Sequence, residues 1–299
     1  MTETDPSLDP STGATPKKKP CIALMGEFSA GKSTLSNLLI GSQSLPVQVT
    51  ATQLPPVWIS KGDQPPYRVD TEGNIQPVDL NRIDDISVDD TAYVRIYRQA
   101  DVLDGCDIID MPGISDPSMA ADVWQRVIHN ADAVIWCTHA TQAWRQSEAA
   151  VWDSLPHDLH ENSMLLLTRM DKINSEKDRV RLLRRVMHET QGLFSDVLPI
   201  SLLQAINAGE NADAWEASGA RAFSEKLSEI VQRFGGAPKA SAKGPDVTLA
   251  ASNDSVADGA GDAARPAGSV MPTRISPRVG VRPTSRRRER PSAHSAHAS

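Results

Sequence analysis

The sequence predicts an α/β fold, a three-layer arrangement with a mostly parallel sheet, flanked by disordered N- and C-terminal tails. Three observations lead there. Between Pro20 and Gly235 short apolar runs alternate with longer amphipathic segments, the rhythm of strand and helix taken in turn. Several runs, Met164-Leu165-Leu166-Leu167 among them, are apolar at every position, as strands covered by helices on both faces are. The composition, 39% apolar and 23% charged over 299 residues, suits a soluble globular core, while no apolar run approaches the roughly 18 residues of a membrane-crossing helix.

Residues 1–19 are polar and rich in Pro, Ser and Thr, and they close on Lys17, Lys18 and Lys19. They lack the apolar middle of a secretory signal, so a disordered tail on a cytoplasmic protein is expected. The folded domain is expected over 20–235. Strands are predicted at 21–25, 57–60, 92–97, 107–110, 133–137, 164–168 and 197–200. Helices are predicted at 32–40, 118–130, 147–154, 175–191 and 220–234, where apolar residues recur at three- and four-residue spacings. Cys21, Cys106 and Cys137 sit inside apolar runs, away from paired or metal-ligand spacings, and are expected to be reduced, buried thiols. Trp58 and Trp136 fall in strands and belong to the core; Trp144 and Trp152 are expected to pack there as well.

After Gly235 the composition changes. Residues 236–299 carry ten Lys/Arg against five Asp/Glu, net +5, which leaves −12 of the overall −7 on the rest of the chain. Ala, Gly, Ser, Pro and Asp dominate, too little apolar surface to offset the entropy of ordering, so 236–299 is expected to be a disordered Arg-rich tail. Arg286, Arg287, Arg288 and Arg290 suit anionic lipid headgroups or nucleic acid as the alternatives to a merely solvating tail, which is the preferred reading. Without interleaved aromatics no specific nucleic acid is predicted.

The chemistry concentrates in Gly26-Glu27-Phe28-Ser29-Ala30-Gly31-Lys32-Ser33-Thr34, between the first strand and the first helix. Its first eight residues have the spacing G-x-x-x-x-G-K-S. Glycines let the backbone curl with its N–H groups inward, and the helix N-terminus adds positive potential. Lys32 suits the β- and γ-phosphates, and the Ser33 hydroxyl suits Mg²⁺. This predicts nucleoside triphosphate binding without choosing ATP or GTP.

Asp110-Met111-Pro112-Gly113 closes the next apolar run. A carboxylate there holds Mg²⁺ through water, and Gly113 offers its N–H to the γ-phosphate with no Cβ in the way. Thr168-Arg169-Met170-Asp171 closes the run at 164–167. Asp171 is placed to accept hydrogen bonds from guanine N1–H and its amine, which adenine does not supply, making GTP the substrate. The alternative is that Asp171 caps the following helix, leaving ATP open. Arg169 stands where Lys is usual, and its apolar stem and planar head suit the nucleotide's edge. Ser201, in Leu198-Pro199-Ile200-Ser201, marks the last base-contacting loop. A threonine that closes over the γ-phosphate and binds Mg²⁺ is sought between these motifs, with Thr50 and Thr52 as candidates and Thr52 preferred.

Taken together, these residues resemble the bacterial branch of the dynamin-like GTPases. G-E-F-S-A-G-K-S-T at 26–34, L-P at 45–46, T-x-x-P-x-V from Thr52 to Val57, D-M-P-G at 110–113 and T-R-M-D at 168–171 follow that family's order. Ala140-Thr141-Gln142 is similar to the family's loop at that place. The resemblance covers about 20–235 and implies a three-layer P-loop GTPase domain. The family's long helical stalk finds no counterpart in 236–299.

The resemblance further implies Mg²⁺-dependent hydrolysis of GTP to GDP by a nucleotide-dependent switch or assembly GTPase. It would pair with a second copy or a partner GTPase, and contact an anionic membrane peripherally through the tail. Lys32, Ser29 and Thr52 are then the candidate catalytic residues. Ile114 stands where other G proteins carry a water-orienting glutamine, and Phe28 occupies the loop position where the family carries a polar residue. Isolated monomers are therefore expected to turn over slowly, of the order of 10⁻⁴ to 10⁻² s⁻¹. The alternatives are a nucleotide-binding scaffold or an ATP-binding P-loop protein with little hydrolysis.

Overall fold

A computed structural model describes residues 19–41, 54–115 and 123–235. Nine strands form one sheet: β1 (Cys21–Gly26), β2 (Val57–Lys61), β3 (Tyr67–Asp70), β4 (Ile75–Pro77), β5 (Thr91–Arg98), β6 (Asp107–Asp110), β7 (Ala133–His139), β8 (Met164–Thr168) and β9 (Asp196–Pro199). The helices are α1 (Lys32–Ile40), α2 (Val102–Gly105), α3 (Gln125–Ile128), α4 (Gln146–Asp153), α5 (Glu176–Glu189), α6 (Leu202–Ala208), α7 (Ala212–Ala217) and α8 (Ala220–Arg233). Strand order is β4-β3-β5-β2-β6-β1-β7-β8-β9.

β6, β1, β7, β8 and β9 run parallel, and β2 joins them antiparallel to β6. The three-layer, mostly parallel α/β fold is thus present.

β1 shows why there are three layers. Side chains alternate across a strand. Ile22 and Leu24 enter one core with Leu35 and Leu38 of α1 and Phe223 and Leu227 of α8. Cys21, Ala23 and Met25 enter the other with Trp136, Trp152 and Val186. Both faces are apolar because both are covered, which is why β1 and β8 read as unbroken apolar runs. Cys21, Cys106 and Cys137 are buried free thiols. Trp136, Trp144 and Trp152 pack edge to face in the second core.

Neighbouring parallel strands end together. Gly26 pairs with Cys137, Leu24 with Asp110 and His139 with Thr168, so every motif hangs off one edge of the sheet. The chain passes to β6 on one side of β1 and to β7 on the other, and the crevice where strand order reverses is where open α/β sheets take ligands.

The structure corrects several expectations. β3 and β4 form a hairpin on the sheet edge where no strand was predicted. The helix expected over 118–130 is helical only at Gln125–Ile128, residues 116–122 being outside the described part. α6 and α7 fill the stretch after Ser201, where no helix was predicted. Both tails, 1–18 and 236–299, lie outside the described residues, as do Thr50 and Thr52. Among the described residues no helix is long and apolar enough to cross a membrane.

Candidate functional site

The loop between β1 and α1 is shaped by three left-handed residues. Gly26 has φ 136°, and a Cβ there would sit 2.0 Å from the Cys137 carbonyl oxygen. Ser29 has φ 59° and Gly31 φ 96°. Gly31 is the N-cap of α1 and supplies no side chain to it. A helix N-terminus with no side-chain cap, and with the helix dipole behind it, suits an anion. Ala30 is buried beneath the loop and locks it inward.

Lys32 is buried, and its ammonium donates to the carbonyls of Gly26 (3.0 Å) and Glu27 (2.8 Å). The cation thus lies across the mouth of its own loop. Gly113 closes the other side so tightly that a Cβ would come 2.8 Å from the Phe28 Cα. The Ile114 N–H donates to the Gly26 carbonyl, and the Phe28 N–H donates to Ser115 Oγ at 3.3 Å. Phe28 itself is 47% exposed.

Asp110 ends β6 with 8% of its surface exposed. Burial pushes its carboxyl up to about 6, against the pull of the Lys32 charge. The Asp110 carboxylate and the Ser33 hydroxyl, at the ends of β6 and of the loop, are hard oxygen donors of the kind that fits Mg²⁺. Among the described residues no group of three or more His, Cys, Asp or Glu is arranged to hold a metal ion by itself. A cation here would complete its shell from phosphate oxygens and water, as Mg²⁺ at nucleotides does.

The end of β8 reaches the same loop. Thr168 Oγ1 donates to the Ala30 carbonyl at 2.7 Å. Arg169, left-handed at φ 56°, sends Nη2 to the Ser29 carbonyl at 2.9 Å. Its head is tied to the phosphate loop, and the stem spans the gap towards β8. Asp171 lies in a short 3₁₀ turn, and its Oδ1 accepts from Ser201 Oγ at 2.8 Å. Ser201 is also the N-cap of α6, while the cap of α5 is Ser175. Asp171 therefore does not cap α5.

The structure brings Gly26 to Thr34, Asp110, Gly113, Thr168, Arg169, Asp171 and Ser201 around one crevice. It adds residues the sequence did not single out: Ser115, Thr138, Ser147 and Glu148. Glu148 is buried and accepts from Trp136 Nε1, Thr138 Oγ1 and the Arg145 N–H. Burial raises its pKa while those three donors pull it down. His139 is pushed below its ordinary value by burial and by the charges of Arg169 and Arg145.

Fold and crevice define a P-loop domain of the GTPase class. Residues 22–170 match the model of the Dynamin family. That stretch is similar to the Dynamin family, and the relatives it resembles are bacterial. The chain is 23% identical over 219 residues to Dynamin-like protein 2 of Campylobacter jejuni subsp. jejuni serotype O:23/36 (strain 81-176), covering 70% of this chain and 34% of that protein.

Two solved structures of an oligomerised bacterial dynamin pair, described as providing a mechanism for the long-range sensing and tethering of membranes, share the fold. One is 20% identical with a TM-score of 0.51, the other 18% with 0.50; each likeness covers 73% of this chain and 36% of the other. The chain thus spans about a third of the length of these relatives.

Proposed function

We propose that this chain binds GTP with Mg²⁺ and hydrolyses it to GDP and phosphate, as a nucleotide-dependent switch or assembly GTPase of dynamin-like type, with 20–235 as the GTPase domain. The observation that carries the reading is the Lys32 ammonium on its own loop carbonyls, where a triphosphate would take it over. In that reading the α1 N–H groups and Lys32 hold the β- and γ-phosphates, and Gly113 N–H meets the γ-phosphate. Ser33, Thr52 and Asp110 hold Mg²⁺, which neutralises charge developing on the phosphates. Asp171, steadied by Ser201, reads guanine. Thr168 and Arg169 fix the loop from below through Ala30 and Ser29.

Phe28 and Ile114 offer no polar atom to attacking water, so turnover by the monomer is slow and a second copy or partner GTPase completes the site. A nucleotide-binding scaffold is the second reading, favoured by the exposed Phe28 ring. The Arg-rich tail supplies peripheral contact with an anionic membrane.

Phosphate release per molecule, followed against protein concentration with Lys32→Ala as control, tests this. The expected result is a rate that climbs with concentration and vanishes in the variant. A flat profile removes the pairing, and release no faster than from the variant removes hydrolysis.

A further inference from the structure

Glu27 puts a carboxylate at the second position of a loop that would hold a polyanion. Its backbone carbonyl lies 2.8 Å from the Lys32 ammonium, so the side chain starts within reach of the cation that phosphates need. A free carboxylate there would repel the triphosphate and compete with it for Lys32.

The structure gives it a partner on another element. Ser147, in the first turn of α4, donates from Oγ to Glu27 Oε1 at 2.6 Å across 120 residues of chain. Ser147 is itself firmly placed. Its neighbour Glu148 accepts from the Arg145 N–H at 2.9 Å and is gripped by Trp136 Nε1 and Thr138 Oγ1 of β7, each at 3.0 Å. The hydroxyl is exposed, and the base of the helix that presents it is buried.

We propose that Ser147 is a positioning residue for nucleotide binding: its hydroxyl holds the Glu27 carboxylate outward from the phosphate loop and leaves Lys32 to the phosphates. This rests on the nucleotide-binding reading above and adds to it the group that keeps the loop's own negative charge at a distance. The sheet makes the arrangement possible, because β7 and β1 are paired neighbours and their C-terminal ends carry α4 and the loop side by side.

The test is a calorimetric cycle on the full chain, titrating GTPγS in millimolar Mg²⁺ into the parent, Ser147→Ala, Glu27→Gln and the double variant. Ser147→Ala is expected to raise Kd about three- to tenfold on the parent background, the usual worth of a charge-assisted hydrogen bond near the surface. On the Glu27→Gln background the same change is expected to cost less than about twofold, because no charge is left to hold off. Salt of about 0.5 M should shrink the first loss. Ser147→Thr, which keeps the hydroxyl, should restore parent affinity.

Equal losses on both backgrounds, as a disturbed fold would give, overturn the proposal, and so does no loss on the parent. A parent that binds but gives a flat cycle overturns only the role of Ser147. A parent that takes up no nucleotide overturns the proposed function together with it.

Discussion

Gly26 shows how a motif position acquires its reason from another strand. The G-x-x-x-x-G-K-S spacing asks for glycine there, and the structure says why: φ is 136°, and a Cβ would be driven to 2.0 Å from the Cys137 carbonyl on β7. Gly73 separates the two effects, since it has φ 90° with nothing within 4 Å of a Cβ. Gly73→Ala is expected to cost about 1 kcal/mol, the strain of the left-handed region alone. Gly26→Ala should cost more than about 2 kcal/mol, because strain and collision add. Urea midpoints check this, and equal losses at the two positions would refute the collision with Cys137.

Among elements, the junction of β7 and α4 is built on one buried carboxylate. Glu148 Oε2 accepts from both Thr138 Oγ1 and the Arg145 N–H. Glu148→Gln turns its NH2 towards both of them or, flipped, towards the Trp136 Nε1 donor, and a loss of about 1–3 kcal/mol is expected on chemical denaturation. Because the folded pKa of Glu148 is raised above its ordinary value of 4.5, the folded state takes up the proton more readily than the unfolded chain. The parent therefore gains stability as pH falls through that raised pKa, and the gain levels off below about 4.5. Gln has no such gain, so the gap between parent and variant should widen from pH 7 to 4.5. A gap that narrows contradicts the raised pKa.

None of this junction was legible beforehand. An Arg at the N-cap leaves only the Glu148 half of a capping box, without the usual Ser/Thr signature, and the Glu27–Ser147 bond joins residues 120 apart. What could be read were elements buried on both faces, β1, β6, β7 and β8, since complete burial writes an unbroken apolar run. The hairpin of β3 and β4 escaped because it sits at the sheet edge, half-buried to exposed, and its strands are only four and three residues long. α6 and α7 escaped through shortness, seven and six residues, and α7 buries no residue at all. The loop motifs were legible by spacing. The tie from Arg169 to Ser29 was not, because residue types at 168–171 do not say which way an arginine head turns.

Over the molecule as a whole, parallel pairing does the organising. Five strands running one way bring the ends of β1, β6, β7 and β8 to one crevice, and each contributes one chemical part: Lys32 with its loop, Asp110, the support for α4, and the Thr168–Asp171 turn. The described residues thus carry the proposed phosphate and base sides of the site, while the candidate switch threonines, Thr50 and Thr52, lie outside them. Competition of GTPγS and an ATP analogue for the chain in millimolar Mg²⁺, with Asp171→Asn alongside, addresses the whole arrangement at once. The guanine nucleotide is predicted to win by about a hundredfold or more, and the variant to lose most of that preference. Equal binding of the two, a preference for the adenine nucleotide, or no uptake of either would contradict the account.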